Sequence, residues 1–167
     1  MPVHLHTHSW YSLLEGASSP DALLDRAVEQ GYTALALTDA NNLYAATVFA
    51  EAAHRRGVRP LLGACLRQNR WRCVALIEDR TGYRSLCRIL SRLNLSRVGG
   101  SPPAVLTDLL SANAEGLHVL VEDAALAERL REAFGPRLWL EIVRPAVGAT
   151  AGRRETDLLA CGRRLGL

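Results

Sequence analysis

Short apolar segments typical of strands alternate with amphipathic segments typical of helices along nearly the whole chain. Helices of this length between strands favour parallel pairing, because a parallel neighbour is reached only through a long crossover connection. The pattern therefore predicts an α/β fold, as either an α/β barrel or an open α/β sheet. The predicted strands cover residues 2–6, 34–38, 58–66, 72–77, 117–121 and 137–143, with a hairpin turn at 68–70.

The predicted helices begin and end at residue types that suit helix termini. Ser19, Pro20 and Asp21 supply a hydroxyl cap, a proline at the first position and an acid in the first turn, and Gly31 ends this helix. Its apolar face is Leu23, Leu24, Ala27 and Val28. The next helix, at 43–56, has Val48, Phe49, Ala52 and Ala53 as its predicted inner face, and later helices are predicted at 83–95, 105–112, 124–134 and 154–165.

The 167 residues, 49% of them hydrophobic, fit one domain that spans residues 1–167. The chain stops just after a predicted helix, where another strand is expected, which favours the N-terminal fragment of a longer protein. No apolar run is long enough to cross a bilayer, and the first residues do not form a secretory signal. We therefore expect a cytoplasmic protein without membrane contacts.

Charge and cysteine content exclude several kinds of site. The net charge is +3, and all 20 basic residues are arginines spread along the chain, so charge alone does not indicate nucleic-acid binding. No two cysteines form a CxxC pair, which argues against a zinc knuckle or a redox motif. Cys65, Cys73, Cys87 and Cys161 are therefore predicted to be buried free thiols.

Three of the five histidines lie at alternate positions at the end of the first predicted strand, namely His4, His6 and His8. Alternation places them on one face of an extended chain, so two imidazoles can reach the same cation. A solvated terminus or a tag remnant is the alternative. Asp39 ends the next strand, where it could bind a metal or cap the following helix.

The order of these segments resembles a known family. The run 6–9 followed by 11–17 is similar to the opening of the PHP domain (polymerase and histidinol phosphatase), and more narrowly to the version in bacterial DNA polymerase III alpha subunits and their error-prone relatives. The resemblance continues through 34–39, 57–63 and 82–88, and it is weaker from 115 to 143.

This resemblance implies a distorted (β/α) barrel of seven strands, incomplete in this chain, with up to three divalent ions at the strand ends. By position, His6 and His8 match the first ligand pair. Glu15 stands where the polymerase group usually has Asp, and Asp39 matches a further ligand. These four residues are the metal ligands that the resemblance implies, and no catalytic residue can be assigned.

Several departures from the family pattern predict a degenerate site. Ala40 replaces a histidine ligand, and Cys65, or Ala64 if the alignment shifts by one, falls where the family has Glu. Arg72 or Cys73 falls near a further histidine. The last ligand pair of the family would lie beyond Leu167. At most one ion, zinc or manganese, is therefore expected.

The resemblance favours the PHP domain of a DNA polymerase III alpha-type, DNA-directed DNA polymerase, for replication or error-prone repair synthesis, with a mainly structural role. Its expected partners are the remainder of the polymerase chain and other replisome subunits, with DNA bound through the parent protein. Two alternatives stay open: a stand-alone metal-dependent phosphoesterase and an α/β binding protein without metal ancestry.

His118, Glu122 and Asp123 match no family ligand and are expected at the surface.

Overall fold

The computed structural model describes residues 3–98, 104–143 and 151–167, so most of the predicted loop at 98–103 lies outside the described residues. The described residues form five strands and six helices, with a 3-10 turn at Gly135–Arg137. The strands are β1 (Ala34–Ala40), β2 (Arg59–Gln68), β3 (Trp71–Ile77), β4 (Leu117–Val121) and β5 (Leu138–Leu140). The helices are α1 (Pro20–Glu29), α2 (Ala46–Arg55), α3 (Arg80–Val98), α4 (Leu106–Ala112), α5 (Ala124–Phe134) and α6 (Ala151–Leu165).

The strands form one sheet in the order β1-β2-β3-β4-β5. β1 pairs with β2, and β4 with β5, in parallel, whereas β3 is antiparallel to both of its neighbours. The predicted hairpin between β2 and β3 is present, and Asn69 in its turn has a φ of 53°, a conformation that Asn tolerates well. Parallel and antiparallel pairs are thus equally frequent among these strands, because the hairpin inserts one reversed strand.

The predicted first strand is reduced to a single bridge between His4 and Leu35, parallel to β1, in the part of the segment that the structure describes. Backbone bonds from Ala36 to His4 and from Thr38 to Thr7 continue this contact. The N-terminal segment therefore runs along the outer edge of β1 in the same direction. The sheet remains open, as expected for an incomplete, distorted (β/α) barrel.

Two apolar clusters form the core. The larger lies between β2, β3 and β4 and the helices α3 to α5, with Leu86, Leu110 and Phe134 almost fully buried. The smaller packs β1 against α1 and α2 around Leu24 and Phe49. In the described residues, no helix combines the length and apolar character that a membrane crossing requires.

Two predicted core positions were wrong. Val28 and Val48 are 48% and 53% exposed, respectively. In α2, burial follows the spacing of Ala46, Phe49 and Ala53, and Val48 lies off this stripe. In α1 the buried stripe is narrow, and Val28 lies on its solvent side.

The prediction of buried thiols is confirmed for three of the four cysteines. Cys65, Cys73 and Cys161 are buried, Cys87 is partly buried, and all four are free.

The strand directions bring the polar residues of interest to one edge of the sheet. The N-terminal segment, β1, β2, β4 and β5 all run the same way, so their carboxyl ends meet at this edge. The start of the reversed strand β3 lies there too. In α/β proteins this edge is where binding and catalytic side chains gather.

Candidate metal centre

His6 and His8 face each other at the carboxyl edge of the sheet. Their Nε2 atoms lie 3.0 Å apart. Each Nδ1 has its own partner: His6 Nδ1 lies 2.7 Å from Glu141 Oε1, and His8 Nδ1 lies 2.9 Å from Ser12 Oγ. Carboxylate or hydroxyl partners on one ring nitrogen orient histidines whose other nitrogen binds a metal. The pair therefore presents both Nε2 atoms to one point.

His4 does not join this pair, although the alternation places it on the same face. Its Nε2 lies 3.0 Å from the hydroxyl of Tyr32. Two imidazoles, and not three, thus reach the centre.

Cys65 supplies a third donor atom. Its Sγ and the nitrogen donors of His6 and His8 all lie within 4.8 Å of one another. The parallel register pairs Cys65 with Ala40, so the thiol occupies the strand end next to Asp39. The sequence identified Cys65 only as a buried thiol in a glutamate position. The signal that could have revealed it was its place at the carboxyl end of β2.

Cys65 and His6 shift each other's protonation. Burial alone would raise the pKa of the Cys65 thiol, but hydrogen bonds from His6, His8 and Arg67 lower this pKa to about 5. Burial would lower the pKa of His6, but its bonds with Cys65 and Glu141 raise that pKa to about 9. Near neutral pH the centre therefore holds a thiolate beside an imidazolium.

Arg72 also reaches the centre, from the start of β3. Its Nη2 lies 3.2 Å from His6 Nε2, and its Nε lies 3.5 Å from Glu122 Oε1. Nε2 of His6 can accept this bond only when that nitrogen carries no proton. The raised pKa of His6 favours the protonated ring, in which Nε2 donates to Cys65 or His8 instead. In either state a positive charge lies at the point that the two Nε2 atoms face.

A second donor group overlaps the first. His6, Glu122 and Glu141 each offer a ligand atom within 4.8 Å of the others. The second carboxylate oxygen of Glu141, Oε2, is buried and has no hydrogen-bond partner. A buried carboxylate oxygen without a partner is costly and favours a nearby positive charge. Glu122, expected at the surface, in fact faces the centre through Arg72.

Asp39, one of the implied ligands, is almost fully buried and fully engaged in hydrogen bonds. It accepts bonds from the amide of Ser9 and from the hydroxyls of Ser9 and Ser12, all at 2.7 Å. It belongs to neither donor group found among the described residues. Nor does it cap α2, whose N-cap is Ala45. Its carboxylate instead fixes the loop that carries the histidines.

Glu15, the other implied oxygen ligand, forms an ion pair with Arg67. Its Oε2 lies 4.0 Å from His8 Nδ1, on the far side of that ring from the centre. The hydrogen bond from Arg67 lowers the pKa of Glu15. Arg67 Nε also donates to Cys65 Sγ at 3.3 Å, so this arginine links Glu15 to the thiol.

The remaining candidates lie apart from the centre, as the sequence predicted. His118 accepts a hydrogen bond from Trp139 Nε1 at 3.1 Å and lies 3.7 Å from Glu78. Asp123 caps α5 by accepting a bond from the Leu126 amide.

Comparison with known proteins identifies the family. The profile of the PHP domain matches residues 4–135. Error-prone DNA polymerase from Anaeromyxobacter dehalogenans is 37% identical over 99% of this chain, and that from Pseudomonas syringae pv. tomato is 33% identical over 99%. The alpha subunit of DNA polymerase III from Bacillus subtilis is 36% identical over 60% of the chain. The chain spans 16%, 17% and 10% of the lengths of these three relatives, respectively, which is about one sixth or less.

Solved structures show the same fold. A protein assigned as a metal-dependent phosphoesterase, from Bifidobacterium adolescentis, gives a TM-score of 0.61 at 16% identity, over 99% of this chain and 84% of its own. An amidohydrolase from Chromobacterium violaceum, with bound sulfate and no metal, gives 0.61 at 20% identity, over 99% and 83%. With the histidine pair at the sheet edge and the family match over most of its length, the chain belongs to the PHP domain family and is homologous to the N-terminal region of DNA polymerase III alpha subunits and error-prone DNA polymerases.

Proposed function

We propose that this PHP domain is mainly a structural module of a DNA-directed DNA polymerase of the polymerase III alpha type, with a degenerate centre that holds at most one ion. The observation that carries the proposal is the positive charge built into the centre by Arg67 and Arg72. Hydrolysis by several metals needs cations a few ångströms apart, each with several ligands. Here guanidinium groups lie 3.3 Å from Cys65 Sγ and 3.2 Å from His6 Nε2.

The residues present fit one ion at His6, His8 and Cys65. Two imidazoles and a thiolate favour zinc over manganese, which prefers oxygen ligands. When bound there, such an ion supplies a Lewis acid. The protein contributes orientation, since Glu141 and Ser12 hold the two rings. Glu15 and Asp39 are in this proposal supporting residues, because both carboxylates already have partners.

The partners follow from the relatives. In a polymerase, the module would contact the remainder of the chain and other replisome subunits in the cytoplasm, with DNA bound by the parent protein. A stand-alone phosphoesterase is supported only by a fold likeness at 16% identity, whereas the relatives at 33–37% identity are polymerases.

Metal analysis of the purified protein tests the proposal. After dialysis against zinc or manganese and removal of free ion, we expect no more than one equivalent, with zinc retained better than manganese. His6→Ala, His8→Ala and Cys65→Ser should each lose the ion. His4→Ala is the matched variant that should retain it, because His4 contacts Tyr32 and not the centre. Two or more tightly held equivalents, or hydrolysis of a simple phosphate ester that His6→Ala abolishes, would contradict the proposal.

A further inference from the structure

The side chain of Arg72 lies directly against two candidate metal-binding residues, His6 and Glu122. Its guanidinium lies between His6 Nε2, at 3.2 Å from Nη2, and Glu122 Oε1, at 3.5 Å from Nε. These two atoms belong to residues of one donor group, whose third member is Glu141. A guanidinium therefore lies against two of the three residues that would hold a metal ion in this group.

The charge balance explains why the group tolerates this arrangement. His6, Glu122 and Glu141 place two carboxylates and an imidazole within 4.8 Å of one another. Two carboxylates so close together repel each other in a partly buried setting unless positive charge lies beside them. Arg72 supplies positive charge from within the chain, with its Nε facing Glu122 Oε1 at 3.5 Å.

We propose that the guanidinium of Arg72 is a built-in substitute for a metal ion, and that it keeps a latent divalent-cation site at His6, Glu122 and Glu141 closed. The unpartnered Oε2 of Glu141 supports the proposal independently, because it is a buried acceptor that Arg72 leaves unsatisfied and an ion could satisfy. The inference rests on the proposed function in that both place at most one ion in the native centre.

Removal of Arg72 should therefore open to metal ions a site at His6, Glu122 and Glu141 that the native chain keeps closed. Arg72→Gln keeps a polar side chain on β3 but removes the charge that competes for His6 and Glu122. We expect its affinity for manganese or zinc to rise by roughly 10- to 100-fold, the range over which groups next to metal ligands act. Isothermal titration calorimetry against each ion alone measures this, and the ion should also raise the Tm of the variant more than that of the native protein.

Matched variants separate this effect from a general change of charge. Arg70→Gln removes the same charge from the same hairpin, but Arg70 stacks over Trp71 with its Cζ 4.1 Å from the ring centroid. It should bind ions as weakly as the native protein. Arg72→Lys, which keeps the charge, should also stay weak, and Arg72→Gln combined with Glu122→Gln should lose the gain.

The outcomes distinguish this inference from the proposed function. If the native protein itself binds two or more equivalents, the proposed function fails. If the native protein binds at most one and Arg72→Gln binds no more tightly, the inference alone is overturned. An equal gain in Arg70→Gln would also overturn it, because net charge would then be the cause.

Discussion

By the family resemblance, Cys65 stands where an oxygen ligand is expected, and a thiol at this position changes the character of the centre. A carboxylate at the end of β2 would attract hard cations, whereas a thiolate can pair with the imidazolium of His6 without any metal. The opposite shifts of the two pKa values, to about 5 and about 9, express this pairing. The loop bearing the histidines is held separately, by the buried carboxylate of Asp39.

The thiolate–imidazolium pair predicts a specific pH dependence of stability. The raised pKa of His6 stabilises the fold fully below pH 6.5, its ordinary pKa, and this contribution is lost as the pH rises through about 9. The lowered pKa of Cys65 stabilises the fold fully above 9.0, and that contribution is lost as the pH falls through about 5. Between pH 6.5 and 9 the two contributions to stability change in opposite directions and cancel. A net loss of stability therefore occurs only as the pH falls from 6.5 to 5.

The unfolding free energy of the native protein, measured by urea unfolding, should therefore fall by about 1–2 kcal/mol between pH 6.5 and pH 5. Cys65→Ser should show a flatter profile over this range, because serine does not ionise. Cys87→Ser, which alters a thiol in α3 away from the centre, is the control and should keep the native profile. Identical profiles for the native protein and Cys65→Ser would exclude the ion pair.

At the scale of elements, helix ends and strand positions were predictable because their signals are local. The start of α1 at Pro20 and the cap of α5 follow from Ser19 and from Asp123, whose side chains accept bonds from the helix amides. The start of α3 was placed too late, although Asp79 offered a cap: its Oδ1 accepts a bond from the Gly82 amide. The burial of individual valines was less predictable, since it depends on which neighbour covers each face.

The contact between α3 and the turn before β4 gives a prediction at this scale. A Cβ on Gly82 would lie 1.7 Å from the carbonyl oxygen of Gly116, so backbone must move to admit a side chain. Gly82→Ala should lower the unfolding free energy by about 1–3 kcal/mol or more, as overpacking does. Ser91→Ala, on the exposed face of the same helix, should change it little. Chemical denaturation of both variants measures the difference, and equal stabilities would refute the tight contact.

At the scale of the whole molecule, the centre depends on the curvature of the sheet. His6 precedes β1 at one edge, and Glu141 follows β5 at the other, yet His6 Nδ1 and Glu141 Oε1 lie 2.7 Å apart. The sequence revealed His6 and His8 through their local spacing. It did not reveal Glu141 as their neighbour, because only the curvature of the open sheet brings residues from its two edges together. Arg72 was indicated only by the family resemblance, which places it near a further ligand position.

Glu141→Gln tests this long-range contact. The amide can still accept from Nδ1, but the lost charge should lower the pKa of His6 from about 9 towards 6.5. Weakening this bond to a charged group should lower the unfolding free energy by about 1.5–3 kcal/mol at most. Nuclear magnetic resonance titration of the His6 ring gives the pKa. Glu78→Gln, beside His118 at the surface, is the control, and an unchanged His6 titration in Glu141→Gln would contradict the contact.

The bond between His6 and Glu141 has a consequence for synthesis on the ribosome. The two residues are 135 positions apart in the chain. At a translation rate of about 5–20 residues per second, His6 would wait roughly 7–27 seconds before its carboxylate partner is made. During that interval the histidine loop can pack on β1 and β2, but the side-chain bond across the open sheet cannot yet form. The nascent chain therefore acquires the Glu141 contact of its centre late, after most of the apolar core can already have formed.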